Sequence, residues 1–143
     1  MILIAAPSGA GKNSFMGRAL AEFPVLEDVV TYTTRKMRDH EAQGEDYHFI
    51  SKSEFEGKIE EGFFAEWSPV HDSLYGTSHQ SLEDTWGRGR VAIMDIDVQG
   101  VEKFNKIYPD AISIFILPPS IEELKNRILS RDKKPPANLD LRL

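Results

Sequence analysis

The residues with the most chemical content sit near the N-terminus. Ala6-Pro7-Ser8-Gly9-Ala10-Gly11-Lys12-Asn13-Ser14 lies between an apolar run, Ile2 to Ala5, and a helical pattern from Phe15 to Phe23. A buried strand, a glycine-bearing turn, a lysine and a helix start make a cradle for phosphate. The N–H groups of the turn and of the first helical turn converge on one point, and the helix dipole favours negative charge there. Gly9 and Gly11 let the backbone approach an anion without a side chain in the way. Lys12 reaches the outer phosphates as a point charge. Two positions depart from G-x-x-x-x-G-K-[ST]: Ala6 replaces the first glycine, and Asn13 replaces the hydroxyl that binds magnesium. The stretch also reads as an ordinary strand–turn–helix with a surface lysine; the context on both sides favours the phosphate.

Further groups fit the same chemistry. Arg35 and Arg38, three apart in a polar loop, can fork onto one phosphate. Tyr47 and Tyr75 each add a hydroxyl donor on an apolar body. Any one of these alone reads as a solvated side chain. Asp95 closes the apolar run Val91 to Met94 and reads equally as a strand-end cap or as an acid that helps hold magnesium.

These groups need elements to position them. The pattern predicts a strand over Ile2–Ala5 and a helix from Lys12 to Glu22, ended by Pro24. Val29 to Thr34 is β-branched and aromatic and reads as a second strand. Short strands follow at Tyr47–Ile50, Phe63–Trp67 and Leu74–Thr77. A helix capped by Ser51 or Ser53 and stopped by Gly62 lies among them. Ser78–Trp86 and Val98–Ile107 read as helices, and Ala111–Leu117 as another continuous apolar strand. Ser120-x-x-Glu123 is a capping box that opens a helix through Leu129. The uniformly apolar strands at residues 2, 91 and 111, alternating with helices, predict an α/β fold with a mostly parallel sheet covered on both faces. The stretch 31–77, with short alternating strands, predicts an inserted antiparallel subdomain. Ligands on such sheets bind beyond the carboxyl ends of the strands, where the cradle and Asp95 both fall.

Composition narrows the classes. With 143 residues, the chain reads as one domain. Apolar content of 41% and charge of 28% suit a globular protein. A net charge of −6 argues against nucleic acid as a partner of the whole surface, while a local pocket for a small anion remains compatible. No cysteine means no disulfide framework and no thiolate zinc site. The short apolar N-terminus reads as a core strand, not a leader or a membrane span, so a cytoplasmic protein without a membrane partner is expected.

Several stretches converge on one family. Thr31-Tyr-Thr-Thr-Arg35-Lys-Met-Arg38 is followed by Gly44-Glu-Asp-Tyr47-His-Phe. Then come Phe64-Ala-Glu66-Trp67, Leu74-Tyr75-Gly76-Thr77, Met94-Asp95-Ile96-Asp97-Val-Gln-Gly100 and Pro118-Pro119-Ser120. With the cradle in front, their order and spacing over residues 1 to about 131 resemble guanylate kinase, which phosphorylates GMP with ATP. The resemblance implies a P-loop, three-layer parallel sheet: a core over 1–30 and 78–126, a GMP-binding subdomain over 31–77 and a lid over 127–143. It implies ATP and magnesium at Ser8, Gly9, Ala10, Gly11, Lys12, Asn13 and Ser14, the metal meeting Asn13 and Asp95. Arg35, Arg38, Tyr47 and Tyr75 would hold the GMP phosphate. Glu66 would accept the neighbouring N1–H and N2–H₂ donors of guanine, with Thr31, Thr77 and Asp97 making further nucleotide contacts. Lys12, Arg127, Arg131 and Arg142 would carry catalysis by stabilising charge on the transferring group. Between these arginines the chain departs from the family: Asp132-Lys133-Lys134-Pro135-Pro136 replaces the usual acidic helix start. A family chain would also run on past residue 143, adding a strand, part of the adenine pocket and a last helix.

Other readings stay open at this point. One is a guanylate kinase-like module that binds a protein segment and has lost catalysis, which Ala6 and Asn13 favour. A GTPase fits poorly, because Asn105-Lys106-Ile107-Tyr108 lacks the aspartate that would read guanine in that class. A fragment of a longer kinase overlaps with each of these.

Overall fold

The computed structural model describes residues 1–7 and 9–131. Ser8 and Arg142, with the rest of 132–143, lie outside the described residues. In chain order the elements are β1 (Ile2–Ala5), α1 (Lys12–Glu22), β2 (Leu26–Asp28), β3 (Tyr32–Thr33), β4 (His48–Phe49), α2 (Lys52–Glu60), β5 (Phe64–Val70), β6 (Ser73–Ser78), α3 (His79–Gly87), β7 (Val91–Asp95), α4 (Val98–Ile107), β8 (Ile112–Phe115) and α5 (Ile121–Arg131).

Four strands make a parallel sheet in the order β2-β7-β1-β8. The pleat sends successive side chains to opposite faces, and each face of the two central strands meets its own helices. Leu3, Ala92 and Met94 pack with Leu82 of α3 and Phe104 of α4. Ile4 and Ile93 pack with Met16 of α1. Helix, sheet and helix give three layers, which explains why β1 and β7 are apolar throughout.

Coverage fails at β8. Ile112 is 60% exposed and Phe115 51%. The expectation of a sheet buried on both faces therefore holds for β1 and β7 and is corrected here. Among the described residues β8 is an edge strand whose one neighbour is β1.

A second correction concerns the strand expected over Val29–Thr34. It is β3, two residues long, while the preceding Leu26–Asp28 forms β2 of the main sheet, in register with Val91, Ala92 and Ile93. Val29 closes the core beside β7, its N–H donating to Ile93 O at 3.2 Å.

The second sheet, β4-β3-β6-β5, is built from the inserted stretch. Its β3/β6 and β6/β5 pairs are antiparallel, but β3 and β4 run parallel, so the sheet is mixed and not purely antiparallel. Phe55 of α2, fully buried, stacks on Phe64 with ring centroids 4.4 Å apart. Gly76 opposite them leaves the space those rings fill. Ser51 caps α2 by accepting from Glu54 N at 3.2 Å, as the sequence predicts. No helix among the described residues is long and apolar enough to cross a membrane.

Candidate active site

Among the described residues, the turn after β1 carries a backbone that could approach an anion closely. Gly9 and Gly11 hold φ of 87° and 97°, a left-handed backbone that side-chain-bearing residues rarely adopt. Gly11 is the N-cap of α1, with no capping side chain and no acid in the first turn. The N–H groups that start α1 are thus left for a ligand. Ala10 is buried against Leu124 of α5, which fixes the turn from behind. Asn13 and Ser14 are exposed in that first turn.

Lys12 is ion-paired with Asp95 at the C-terminal end of β7. β1 and β7 are neighbours in register, so the cradle and the strand-end acid arrive at the same end of the sheet. Burial pushes the Asp95 carboxyl up, and the Lys12 ammonium opposes that shift. Magnesium takes oxygen ligands, and in nucleotide enzymes usually one or two carboxylates plus substrate phosphates. Asp95 is such a carboxylate, and Asn13 in the first turn of α1 offers a neutral amide oxygen in place of a hydroxyl. Among the described residues no cluster of three acidic, His or Cys groups could hold an ion alone. The donor set thus fits a metal that arrives with a nucleotide.

Arg127 comes to the same place from α5. A Cβ built on Gly11 would lie 3.9 Å from its guanidinium Nη1, so the arginine stands directly over the cradle. Its Nε donates to Glu123 Oε1 at 2.8 Å, one turn back. Arg131 ends the same helix. α5 is unbroken through residue 127, so the boundary between core and lid drawn there is not a break in secondary structure.

On the second sheet, Arg35, Tyr47 and Tyr75 form one cluster. The Arg35 guanidinium stands 5.5 Å from the Tyr47 ring centroid, and the two tyrosine rings are 5.9 Å apart. Tyr47 is pushed well above the usual phenol range by burial, then by the charge of Asp95, which ties this cluster to the cradle side. Arg38 is exposed. A residue the sequence did not single out organises the pair. Glu41 takes Arg35 in a fork, Oε2 to Nη1 at 2.9 Å and Oε1 to Nη2 at 2.7 Å, and accepts Arg38 N at 2.8 Å.

The third group is Glu66 on β5, 7% exposed and opposite Thr77 of β6, itself 1% exposed. Thr31 is 7% exposed just before β3. Asp97 caps α4, its Oδ1 accepting from Gln99 N at 2.8 Å and Gly100 N at 3.1 Å. Ser68 lies between the acids, with Oγ 2.9 Å from Glu66 Oε1 and 3.1 Å from Asp97 Oδ2. Glu66 is pushed up by burial; the Ser68 hydrogen bond and Lys103 hold it back. Ser68 and Lys103 were also missed in the sequence. No local pattern announces them, since their partners come from another element.

A family model described as guanylate kinase matches residues 1–142. The chain belongs to the guanylate kinase family. The guanylate kinase of Bdellovibrio bacteriovorus is 54% identical over 143 residues, matching all of this chain and 77% of its own length. That of Geobacter metallireducens is 45% identical over 131 residues, matching 92% of this chain and 64% of its own. A crystal structure of guanylate kinase from Anaplasma phagocytophilum superposes with a TM-score of 0.77 at 32% identity, covering 89% of this chain and 64% of that one. The chain thus spans between about two thirds and three quarters of these guanylate kinases. Their likeness confirms the α/β class and the parallel-sheet core.

Proposed function

We propose that the protein transfers the γ-phosphoryl group of ATP to the phosphate of GMP, giving ADP and GDP, as a cytoplasmic enzyme. The observation that carries this reading is convergence. The uncapped start of α1, the Lys12–Asp95 pair and the Arg127 guanidinium surround one anion position, and the Arg35–Tyr47–Tyr75 cluster feels Asp95 from the other sheet. Two phosphate-bearing substrates would thus face each other across the seam.

The transfer is in line. A GMP phosphate oxygen bonds to the γ-phosphorus as the bond from that phosphorus to the β,γ-bridging oxygen breaks, with no covalent enzyme intermediate. Lys12 exchanges Asp95 for a phosphate oxygen, and Arg127 and Arg131 offset charge on the equatorial oxygens. Arg142 takes the same role in this proposal. Asp95 and Asn13 would hold magnesium, which supplies further charge neutralisation on the ATP phosphates. Arg35, Arg38, Tyr47 and Tyr75 grip the GMP phosphate. Glu66 reads the base, with Thr31, Thr77 and Asp97 lining it. Residues 31–77 then act as the GMP-binding subdomain.

The test is an ADP-release assay with ATP and magnesium, offering GMP or AMP. GMP should turn over and AMP should not, since a site built for paired hydrogen bonds rejects an analogue lacking them by ~10⁴-fold. Lys12→Ala should abolish turnover. Equal use of AMP and GMP, or full activity of Lys12→Ala, refutes the reading. No turnover combined with tight binding of a protein segment would favour the non-catalytic module, the alternative to which Asn13 at the metal position points.

A further inference from the structure

Glu66 has a more elaborate setting than a base-reading acid needs for burial alone. Its side chain is 4% exposed, and Lys103 Nζ of α4 lies 3.6 Å from its Oε1. Lys103 is itself anchored: its ammonium donates to Trp67 O and stands 5.3 Å from the Trp67 ring centroid. Ser68, two residues along β5 and so on the same face, is 1% exposed and presents its hydroxyl to both Glu66 and Asp97. Gly100 of α4 lies on the remaining side, where a Cβ would make ordinary contact with Glu66 Oε2 at 3.5 Å.

The groups facing the Glu66 carboxylate are therefore Asp97 at the N-cap of α4, Lys103 within α4 and Ser68 from its own strand, with Thr77 of β6 opposite Glu66 in register. A buried carboxylate, Glu66, and a half-buried one, Asp97, share one hydroxyl, which has a single proton to give. Asp97 is compensated by the first N–H groups of α4. Glu66 has no helix start of its own and depends on Ser68 and Lys103. Both act on Oε1, which leaves Oε2 as the acceptor without a described protein donor.

We propose that Lys103 and Ser68 are positioning residues that keep Glu66 charged and hold its carboxylate in one orientation, so that they set the preference for a purine bearing adjacent N–H and NH₂ donors over one lacking the amino group. Neither side chain is assigned a contact with the nucleotide. The inference rests on the reading of Glu66 as the base-recognition acid.

Equilibrium binding of GMP and IMP, measured by calorimetry between pH 6 and 9, separates the two claims. ATP affinity and thermal melting serve as controls. Lys103→Met should weaken GMP by ~10-fold, the scale on which groups that orient a ligand act, and shrink the GMP-over-IMP ratio, with ATP binding unchanged and melting still cooperative at a somewhat lower midpoint. Lys103→Arg should recover most of the loss. Without its cation Glu66 holds its proton to higher pH. The GMP defect of Lys103→Met should then be largest at pH 6 and narrow as the pH rises, a trend that a packing defect would not give. Ser68→Ala should lower the ratio in the same direction. If both variants keep the GMP-over-IMP ratio and its pH profile while Glu66→Gln loses them, the positioning proposal is overturned and the base reading stands. If Glu66→Gln also leaves the ratio unchanged, the base reading itself fails and takes this inference with it.

Discussion

Arg35 offers more N–H donors than one carboxylate can accept. Glu41 takes two of them and Lys36 O a third, at 2.8 Å, so the guanidinium is locked in place with donors still free for a phosphate. A locked arginine loses less freedom on binding than a loose one. Glu41→Gln keeps one acceptor but no charge, and should raise the GMP KM by ~3- to 10-fold, in line with the loss of a charge-assisted hydrogen bond. The ATP KM should stay unchanged; steady-state kinetics checks both. The Arg35 hydrogen bond holds the Glu41 carboxyl below its ordinary value of 4.5. A carboxyl whose pKa is lower folded than unfolded stabilises the fold above the unfolded value, and that gain is lost as pH falls through the folded one. The stability gap between the protein and Glu41→Gln should therefore be flat from about pH 5 to pH 8 and close only in acid. Glu41 was illegible in the sequence for a plain reason: an acid in a polar loop looks solvated, and only the folded turn brings it under Arg35. Gly11 and Lys12, by contrast, sit in a stretch whose local pattern points to a phosphate, while Glu66 was singled out only through the family resemblance.

At the scale of elements, Gly76 is the tightest point of the inserted sheet. It pairs with Tyr32 on one side and Trp67 on the other, between Tyr75 and Thr77. A Cβ there would lie 2.8 Å from Phe64 Cδ1 and 3.0 Å from Phe55 Cζ. Phe55 is fully buried and cannot swing away. Gly76→Ala should cost ~1–3 kcal/mol by overpacking, seen as a lower denaturant midpoint, and should weaken GMP more than ATP because Tyr75 and Thr77 are displaced with the strand. Helices were the most legible elements. The bounds of α1 and α4 follow from apolar periodicity, with Pro24 just beyond the end of α1. β2 was missed because Leu26-Glu27-Asp28 carries two acids and no β-branched residue. It is a strand by virtue of β7 beside it, with Glu27 paired to Arg88 of the α3 C-cap. β8 misled in the opposite sense. Its apolar run reads as a fully covered strand, but composition cannot say how many neighbours a strand has.

Taken whole, the molecule divides the proposed site between its two sheets. The start of α1 carries Lys12 and the end of β7 carries Asp95, while the inserted stretch carries Arg35, Tyr47, Glu66 and Tyr75. The joint between them is polar and narrow: Ser68 to Asp97, Lys103 to Trp67 O, and the Ser78 cap where β6 runs into α3. Among the described residues, the apolar side chain that the inserted sheet packs on the main core cluster is the small Ala65, so rotation about the joint should expose little hydrophobic surface. A nucleotide whose phosphate meets the arginine cluster and whose base meets Glu66 and Asp97 would touch both sides and favour the arrangement that brings them together. Closure also serves the chemistry, since a transferring phosphoryl group must be kept from water. GMP alone should therefore slow hydrogen exchange across residues 31–77, most in β5 and β6, while the amides of β1 and β7, already in the middle of the main sheet, change little. ATP alone should protect the turn at residues 9–14 and leave 31–77 largely as it was. Equal protection of 31–77 with and without GMP would mean that the two sheets already sit in their working arrangement and that the polar joint does not move.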